Sequence, residues 1–365
     1  MAPVANKKGK KRTRRTGRTE VATLPRPGTA TIRDVALAAG VSAMTVSNLI
    51  NERVGTMRAE TRQRIEAEIK RLGYRPHSMA RSLRLAKQLL IAMMIIDEQP
   101  HFLADPFTTH VVAGLSNELN SHGYGLLLQG LAPASFRDSR FVSGIRTDAI
   151  CILLSGPDPV RRGIIETLLA LGQPVLVFQD TLRFPGADLC TIRQADREGG
   201  RMVAGEALKL GARRLVMLVP AVHWPAIAER VKGVRAAVGK TAAPAELRVL
   251  SCGDGELRDT QAALDRDIAE HGLPDAIIGG NDQMGIAAMK LMAGRGLQVP
   301  RDVAITGFNA FEFWQYTVPV LTSVRSPAYE MGACGGAEIL KRLGAGRFDK
   351  AEIIYRVALQ PGGST

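Results

Sequence analysis

Five side chains near the start of one short predicted helix could contact the edges of DNA bases. They lie within the segment TIRDVALAAGVSAMTVSNLIN, residues 31–51, and are Ala43, Met44, Thr45, Ser47 and Asn48. An asparagine amide can form two hydrogen bonds to adenine, hydroxyl groups contact several bases, and small apolar groups contact the thymine methyl. Such side chains select a DNA sequence only when a rigid element holds them together in the major groove.

Two helices joined by a tight turn would supply that element. Apolar residues recur at helical spacing from Ile32 to Ala39, and Gly40 then breaks the pattern. Ser42 carries a hydroxyl group that can cap a second helix, which would present the five base-contacting side chains outward. The inward face of that second helix would consist of Val46, Leu49 and Ile50. This is the pattern of a helix-turn-helix, although any short pair of surface helices can imitate it.

The positive charge of the chain is concentrated beside this segment. Residues 1–90 hold 20 Lys and Arg against 6 Asp and Glu, whereas the other 275 residues hold 28 and 29. Charge gathered at a helix-turn-helix predicts a surface that binds DNA phosphates. The run KKGKKRTRRTGR predicts a disordered basic tail over residues 1–30, which either adds salt-dependent affinity for DNA or is simply solvated.

The segment resembles the start of the lactose-repressor (LacI/GalR) family of bacterial transcription regulators. The resemblance rests on Asp34 to Ala36 (DVA), Ala39 to Ser42 (AGVS) and Thr45 to Ser47 (TVS), followed by Asn51. It implies a DNA-binding domain over residues 31–75, in which Thr31 and Ser42 join the DNA-binding set and Thr31 fixes the register on phosphates.

The resemblance also implies a hinge helix and linker over residues 76–88. Its Leu83 would be wedged into the minor groove beside Met79 and Ala80. An apolar wedge of this kind opens a base step and bends the duplex. The alternative for this segment is a plain linker with one core leucine.

From Leu89 onward, short apolar runs alternate with amphipathic helices, and the alternation restarts after Asp196. Buried strands separated by helical crossovers predict parallel sheets covered on both faces. The fold class is therefore α/β: an all-α helix-turn-helix headpiece followed by a two-lobed, doubly wound parallel-sheet body over residues 89–365. This body resembles the periplasmic-binding-protein fold of the same family, and its last helix and the strand IIYRVAL should cross back to the first lobe.

Ligands of open α/β sheets bind at the carboxyl ends of the strands, which here means between the lobes. Asn281 and Asn309 each follow an apolar strand, and the resemblance makes them effector contacts together with Arg230, in the string RVKG. Asn309 stands where many family members have an aspartate. An amide both donates and accepts hydrogen bonds, so it tolerates a sugar acid as well as a sugar. The alternatives are that the two asparagines cap the following helices and that Arg230 lies on a helix surface.

On the first-lobe side, the same resemblance places Asp105 and Phe107 along the cleft. Phe107 could equally belong to the core. Asp148 precedes the strand AICILLS and could be an effector contact or a structural residue. The position of an aromatic residue that stacks on the ligand in some members falls at Gly255. The cluster Phe311, Phe313 and Trp314 could replace that aromatic residue or pack between the lobes.

Catalysis, cofactor binding and metal binding have no candidate residues. The string GVRAAVGKT has one residue too many for a phosphate-binding loop, and the 6 histidines lack metal-ligand spacing. The 4 cysteines lie far apart without a CxxC pair, which predicts reduced thiols. With neither a membrane-spanning apolar run nor an apolar signal core, the chain is expected to be cytoplasmic and not bound to a membrane.

These observations predict a DNA-binding transcriptional regulator, most specifically a repressor, controlled by a small effector that is a sugar or a sugar acid. A homodimer, or a tetramer built from dimers, would bind a near-palindromic operator in double-stranded DNA. The strings SAMTVS and PGGST resemble the gluconate-repressor branch of the family. The alternative is a cytosolic or periplasmic sugar-binding protein without DNA regulation.

Overall fold

The structure is a computed structural model of the 365-residue chain. It describes residues 30–50, 55, 57–74, 88–99, 101–139, 142, 144–241, 243–253 and 255–365. The chain divides into two compact units, Met1–Ala86 and Lys87–Thr365, which are called the headpiece and the body below. The predicted tail lies outside the described residues apart from Ala30, and so do the predicted hinge residues Met79, Ala80 and Leu83.

The described part of the headpiece consists of helices α1 (Ile32–Ala38), α2 (Ala43–Ile50) and α3 (Ala59–Leu72). A capping box begins α1: the Asp34 N–H donates to Thr31 Oγ1, and the Asp34 carboxylate accepts from the Thr31 N–H. Gly40 then turns the chain with a φ of +62°, a conformation that favours glycine. The headpiece core forms where the three helices meet, around the fully buried Val35, Val46 and Ile65.

The first lobe of the body is a six-stranded parallel sheet in the order β11-β5-β4-β3-β1-β2. Successive residues of its interior strand β1 belong alternately to two apolar cores, one on each face of the sheet. The strands are β1 (Leu90–Ile96), β2 (Gly125–Leu131), β3 (Ala149–Leu154), β4 (Val175–Phe178), β5 (Leu189–Gln194) and β11 (Glu352–Tyr355). The helices that cover them are α4 (Pro106–Ser121), α5 (Asp158–Leu169) and α10 (Ala328–Ala345).

The second lobe repeats this design with a four-stranded parallel sheet in the order β7-β6-β8-β9. Its strands are β6 (Arg214–Val219), β7 (Glu246–Ser251), β8 (Ala276–Gly279) and β9 (Ala304–Thr306). Its helices are α6 (Asp196–Lys209), α7 (Pro225–Val238), α8 (Leu257–His271) and α9 (Asp282–Gly294). An antiparallel pair, β10 (Ser323–Arg325) and β12 (Ala358–Gln360), adjoins this lobe.

The chain passes between the lobes three times, after β5, after β10 and after β11. The predicted strand IIYRVAL is divided by this arrangement, because its first part joins the first-lobe sheet as β11 and its last part pairs with β10 as β12. The predicted α/β class, with its helical headpiece and two-lobed parallel-sheet body, is confirmed.

Candidate DNA-binding surface and effector cleft

Helix α2 of the headpiece presents most, but not all, of the side chains predicted to contact bases. Met44 is 66% exposed, and Ala43, Thr45 and Asn48 are half-buried. The prediction that Ser47 points outward is wrong, because Ser47 is only 5% exposed. Ser47 follows the fully buried Val46 and lies one helical turn beyond Ala43, so it falls on the flank of α2 that faces the headpiece core.

Among the described residues, the two predicted DNA contacts outside α2, Thr31 and Ser42, both act as helix caps. Ser42 Oγ accepts a hydrogen bond from the Thr45 N–H at 3.1 Å and lies 2.9 Å from Thr45 Oγ1. Thr31 forms the capping box that begins α1. Both side chains are exposed, so their capping role leaves them accessible to phosphate groups. In α3, by contrast, the cap residue Arg58 makes no side-chain capping bond.

The body contains a cavity of about 780 Å³ between the two lobes. It opens where strands of both sheets end, as the rule for open α/β sheets requires. Asp97 and Gln179 follow β1 and β4 from the first lobe, and Asn281 follows β8 from the second. Five of the six predicted effector residues line this cavity: Asp105, Phe107, Arg230, Asn281 and Asn309.

Asp148 is the exception among the predicted effector residues. It precedes β3, at the amino end of the strand, and its carboxylate accepts hydrogen bonds from the N–H groups of Gln88 and Leu89 at 2.9 and 2.6 Å. The described cavity lining does not include it. Its assignment to the effector site is therefore corrected: Asp148 anchors the first residues of the body to the sheet.

Arg230 is the centre of a buried polar network on the second-lobe side of the cavity. Its Nε donates to Asp196 Oδ1 at 2.8 Å, its Nη1 to the Gly280 carbonyl at 2.6 Å, and its Nη2 to Asn309 Oδ1 at 3.3 Å. The guanidinium also lies 3.6 Å above the centre of the Phe308 ring. The alternative of a surface arginine is wrong, because Arg230 is only 4% exposed.

Asp196 links this network to the strands of the first lobe. Its carboxylate accepts hydrogen bonds from Gln194 Nε2 at 2.9 Å and Gln179 Nε2 at 3.2 Å. Burial raises the pKa of Asp196, and the charge of Arg230 opposes that rise. Ser326, at the second crossing between the lobes, donates to Gln194 Oε1 at 2.7 Å. The network therefore connects one wall of the cavity to two of the three interlobe crossings.

The two asparagines of the cavity differ in role. Asn281 caps α9, because its side-chain oxygen accepts a hydrogen bond from the Met284 N–H at 2.9 Å. The alternative role of a helix cap is therefore confirmed for Asn281, although this residue also lines the cavity. Asn309 begins no helix and instead accepts from Arg230, with a φ of +112°. A non-glycine residue in that region is strained, and such strain is typical of positions that surrounding contacts hold in place.

Asp282, the residue after Asn281, is a buried carboxylate beside the cavity. Ser323 Oγ donates to its Oδ1 at 2.5 Å, while Oδ2 has no hydrogen-bond partner among the described residues. Burial raises its pKa to about 6. Asp282 therefore changes charge close to neutral pH at a point where α9 meets β10.

The aromatic cluster near Asn309 is divided between the cavity and a contact between the lobes. Phe313 lines the cavity, and Gly255, at the position of the missing aromatic residue, lines it as well. Phe311 instead stacks on His110 of α4, with ring centres 4.3 Å apart. A second contact joins the lobes where the Gly156 N–H donates to the His223 carbonyl at 2.8 Å. These contacts bring first-lobe and second-lobe residues together near the cavity.

Several lining residues escaped the sequence analysis. Asp97 and Gln179 directly follow strands, so the rule that identified Asn281 would have found them had it been applied to β1 and β4. Phe102 and Tyr316 lie in two short 3₁₀ helices, Phe102–Ala104 and Glu312–Tyr316, which leave no periodic pattern in the sequence. Trp224 ends a loop before α7 and carries no signal of its own.

The remaining predictions concern cysteines, metals and membranes. All four cysteines are free thiols, and Cys151, Cys190 and Cys252 are buried. Within the described ranges, no group of three or more His, Cys, Asp or Glu residues is arranged to hold a metal ion. The helices in the described part of the chain are all too short or too polar to cross a membrane.

Two family models match the chain. Residues 31–77 match the model of bacterial regulatory proteins of the lacI family, and residues 204–365 match the model of the periplasmic binding protein-like domain. The ribose operon repressor of Bacillus subtilis is 27% identical over 307 residues, which cover 83% of this chain and 88% of that repressor.

Solved structures of regulators share the fold. The lac repressor dimer bound to operator and an anti-inducer has a TM-score of 0.77 at 21% identity, covering 92% of this chain and 99% of that one. The complex of the regulator CelR with cellobiose has a TM-score of 0.67 at 24% identity. The match covers 92% of this chain and 100% of the CelR chain. The likeness thus extends over both the headpiece and the body.

Proposed function

Because the chain belongs to the LacI family of bacterial regulatory proteins, we propose that it is a transcriptional repressor whose operator affinity is set by a small molecule bound between the lobes. The observation that carries this proposal is the combination of two sites in one chain. Helix α2 presents polar and apolar side chains beside a strongly basic segment, and the neutral body encloses a cavity of about 780 Å³.

Base contacts are assigned to Ala43, Met44, Thr45 and Asn48, and phosphate contacts to Thr31 and Ser42. Asn48 stands where family members often carry arginine, so adenine rather than guanine is the preferred base opposite it. Leu83, with Met79 and Ala80, remains the predicted minor-groove wedge. A homodimer supplies two headpieces, which match a twofold operator.

Effector binding is assigned to Arg230, Asn281, Asn309, Asp105 and Phe107. A small molecule that prefers one arrangement of the lobes shifts the population toward it, and this shift alters the spacing of the two headpieces in the dimer. The ribose operon repressors among the relatives support a sugar as the effector class. The relatives are named as repressors, which supports a non-enzymatic role in the cytoplasm.

The alternative of a sugar-binding protein without DNA regulation does not account for the headpiece, since residues 31–77 match a DNA-binding family model. Selection of duplexes from a random library by the full-length protein tests the proposal. We expect enrichment of a twofold-symmetric site and a steep decrease of affinity with salt. Recovery of random sequence at physiological ionic strength would overturn the proposal.

A further inference from the structure

The ionised groups that line the effector cavity are mostly acidic. Asp97, Asp105 and Glu256 contribute carboxylates, and Arg230 is the only lysine or arginine among the described lining residues. The charge of Arg230 is already opposed by Asp196 at 2.8 Å. A bound anion would therefore face three carboxylates, and His101 is the one other lining side chain among the described residues that can carry a positive charge.

Part of the donor capacity of Arg230 is also taken up by the protein. Three of the N–H groups of Arg230 point to Asp196, the Gly280 carbonyl and Asn309. The amide of Asn309 turns its oxygen toward Arg230, so that oxygen is not available to a ligand donor without competition. Asn309 is thus part of the internal network, and its amide NH2 group is the part that remains to donate to a ligand.

Helix N-termini are the other common anion sites, and several of them border the cavity. The first N–H groups of α4 donate to the carboxylate of Asp105, at 3.3 Å from Phe107 and 3.0 Å from Thr108. Asn281 fills the same role at α9. At α8 the cap residue is Glu256, whose carboxylate makes no capping bond and lines the cavity. Each of these three helix starts therefore presents an oxygen acceptor to the cavity. The start of α7 also lines the cavity; its cap residue Trp224 makes no side-chain capping bond, and its first residue, Pro225, has no N–H to offer.

The rest of the lining is apolar and aromatic. Phe102 and Trp224 are half-buried in it, while Phe313 and Tyr316 are 61% and 76% exposed although they line the cavity. Exposed aromatic side chains of this kind offer large apolar contact area to a ligand. The volume of about 780 Å³ lies in the upper part of the range for drug-sized ligands, which is about 300–1,000 Å³.

We propose that the effector is an uncharged molecule with an apolar face that is longer than a single sugar ring, and that the cavity rejects sugar acids and phosphorylated ligands. This inference rests on the proposed function and narrows it, since the sequence left sugars and sugar acids open. Neutral disaccharides and aryl glycosides have the required size, lack of charge and apolar faces.

A matched pair of fluorescent probes tests the charge preference. N-phenyl-naphthylamine is neutral, and anilinonaphthalene sulfonate has the same ring system with one added sulfonate. Both are titrated into the full-length protein at physiological salt, with energy transfer from tryptophan as the signal. The chain has two tryptophans, so the titrations use the Trp314→Phe variant, in which Trp224 is the only energy donor. Transfer from Trp224 then places the probe next to this lining residue.

We expect the neutral probe to bind about tenfold or more tightly than the sulfonate. The variants Glu256→Gln and Asp97→Asn should each bring the two affinities closer together, because they remove a carboxylate and keep an oxygen that can accept a hydrogen bond. Glu270→Gln, an exposed position near the other end of α8, is the matched control and should leave the ratio unchanged.

Equal or tighter binding of the sulfonate in the cavity would overturn the inference, and so would the absence of any Trp224-dependent signal with the neutral probe. Operator binding is measured on the same preparations. Loss of operator binding with the charge preference intact would refute the proposed function alone. Intact operator binding with a preference for the anion would refute the inference alone. The length requirement is tested by calorimetry, in which cellobiose should bind more tightly than glucose; equal binding, or binding of neither, would contradict it.

Discussion

The headpiece and the body use their polar residues in opposite ways. In the headpiece, polar side chains such as Thr31, Ser42 and Asn48 lie at least partly on the surface of a very small core. In the body, Arg230, Asp196 and Asn309 are buried and bonded to one another. A site that meets DNA must stay accessible before its partner arrives. A site that distinguishes two lobe arrangements can be part of the protein interior.

This difference predicts that damage to each unit has a distinct signature. A headpiece variant should lose DNA binding while the body stays folded. A body variant should lose effector binding together with stability, because the same contacts serve both.

Arg230→Gln should produce the largest effect. It leaves Asp196 as a buried carboxylate without its cation, and such a loss costs about 3–5 kcal/mol of the free energy of unfolding. Effector binding should be lost at the same time, whereas the headpiece keeps its helices. Calorimetric melting and ligand titration measure both effects, with the exposed Arg235→Gln on the same helix as the control. Unchanged stability would show that the network does not support the body.

Ile65→Ala should have the opposite signature. Ile65 is fully buried in the headpiece core, and removal of a buried isoleucine side chain to alanine costs about 2–5 kcal/mol. A unit with so small a core should then unfold, and operator binding should be lost with effector binding retained. The control is Leu37→Ala, since Leu37 is 85% exposed on α1. A loss of effector binding in Ile65→Ala would contradict the separation of the two units.

Asp282→Asn should stabilise the body in a pH-dependent way. Burial raises the pKa of Asp282 to about 6 from its ordinary value of 3.8, so folding favours the protonated form. The contribution of the protonated Asp282 carboxyl to the stability of the wild type is complete below pH 3.8. This contribution is lost as the pH rises through about 6. The amide removes this penalty, so we expect a gain of about 1–3 kcal/mol at neutral pH. At pH 4 the gain should nearly vanish.

Thermal melting of the wild type and Asp282→Asn across this pH range measures the difference. The exposed Asp138→Asn is the control and should melt like the wild type at each pH. A stabilisation of Asp282→Asn that is constant with pH would show that the charge of this carboxylate is not the cause.

Asn48→Arg should change which DNA sequence is bound more than how strongly the protein binds DNA in general. Arginine favours guanine and asparagine favours adenine, and a good bidentate pair is worth about 1–3 kcal/mol against the wrong base. Repeated selection with the variant should move the preferred base at one position in each half-site. An unchanged site would remove Asn48 from the base-contacting set.

The contrast between the units also explains what could be predicted from the sequence. In the headpiece the base-contacting side chains lie within one short helix, so Ser42 as a cap and Met44 as an exposed residue follow from one helical pattern. Ser47 was mispredicted because a position beside a buried residue lies at the edge of the apolar face, where burial depends on how α2 packs.

In the body, the strand rule identified Asn281, but it could not show that Arg230, Asn309 and Asp196 form one network. These residues are far apart along the chain and come together only in the folded body, so no local sequence pattern indicates their contacts. Phe102 and Tyr316 were missed for the same reason, since these two residues of the 3₁₀ helices reach the cavity from opposite lobes. The position of Asp148 before its strand, rather than after it, was the signal against its effector role.

The central claim is that ligand binding in the body changes DNA binding by the headpiece. The most direct test is to measure operator affinity by fluorescence anisotropy with and without a cavity ligand identified by calorimetry, in the wild type and in Arg230→Gln. We expect the ligand to change the operator affinity of the wild type by a factor of about 5–150, with the reciprocal change in ligand affinity, and to leave the variant unaffected. A ligand that saturates the cavity and leaves the operator affinity of the wild type unchanged would contradict the account.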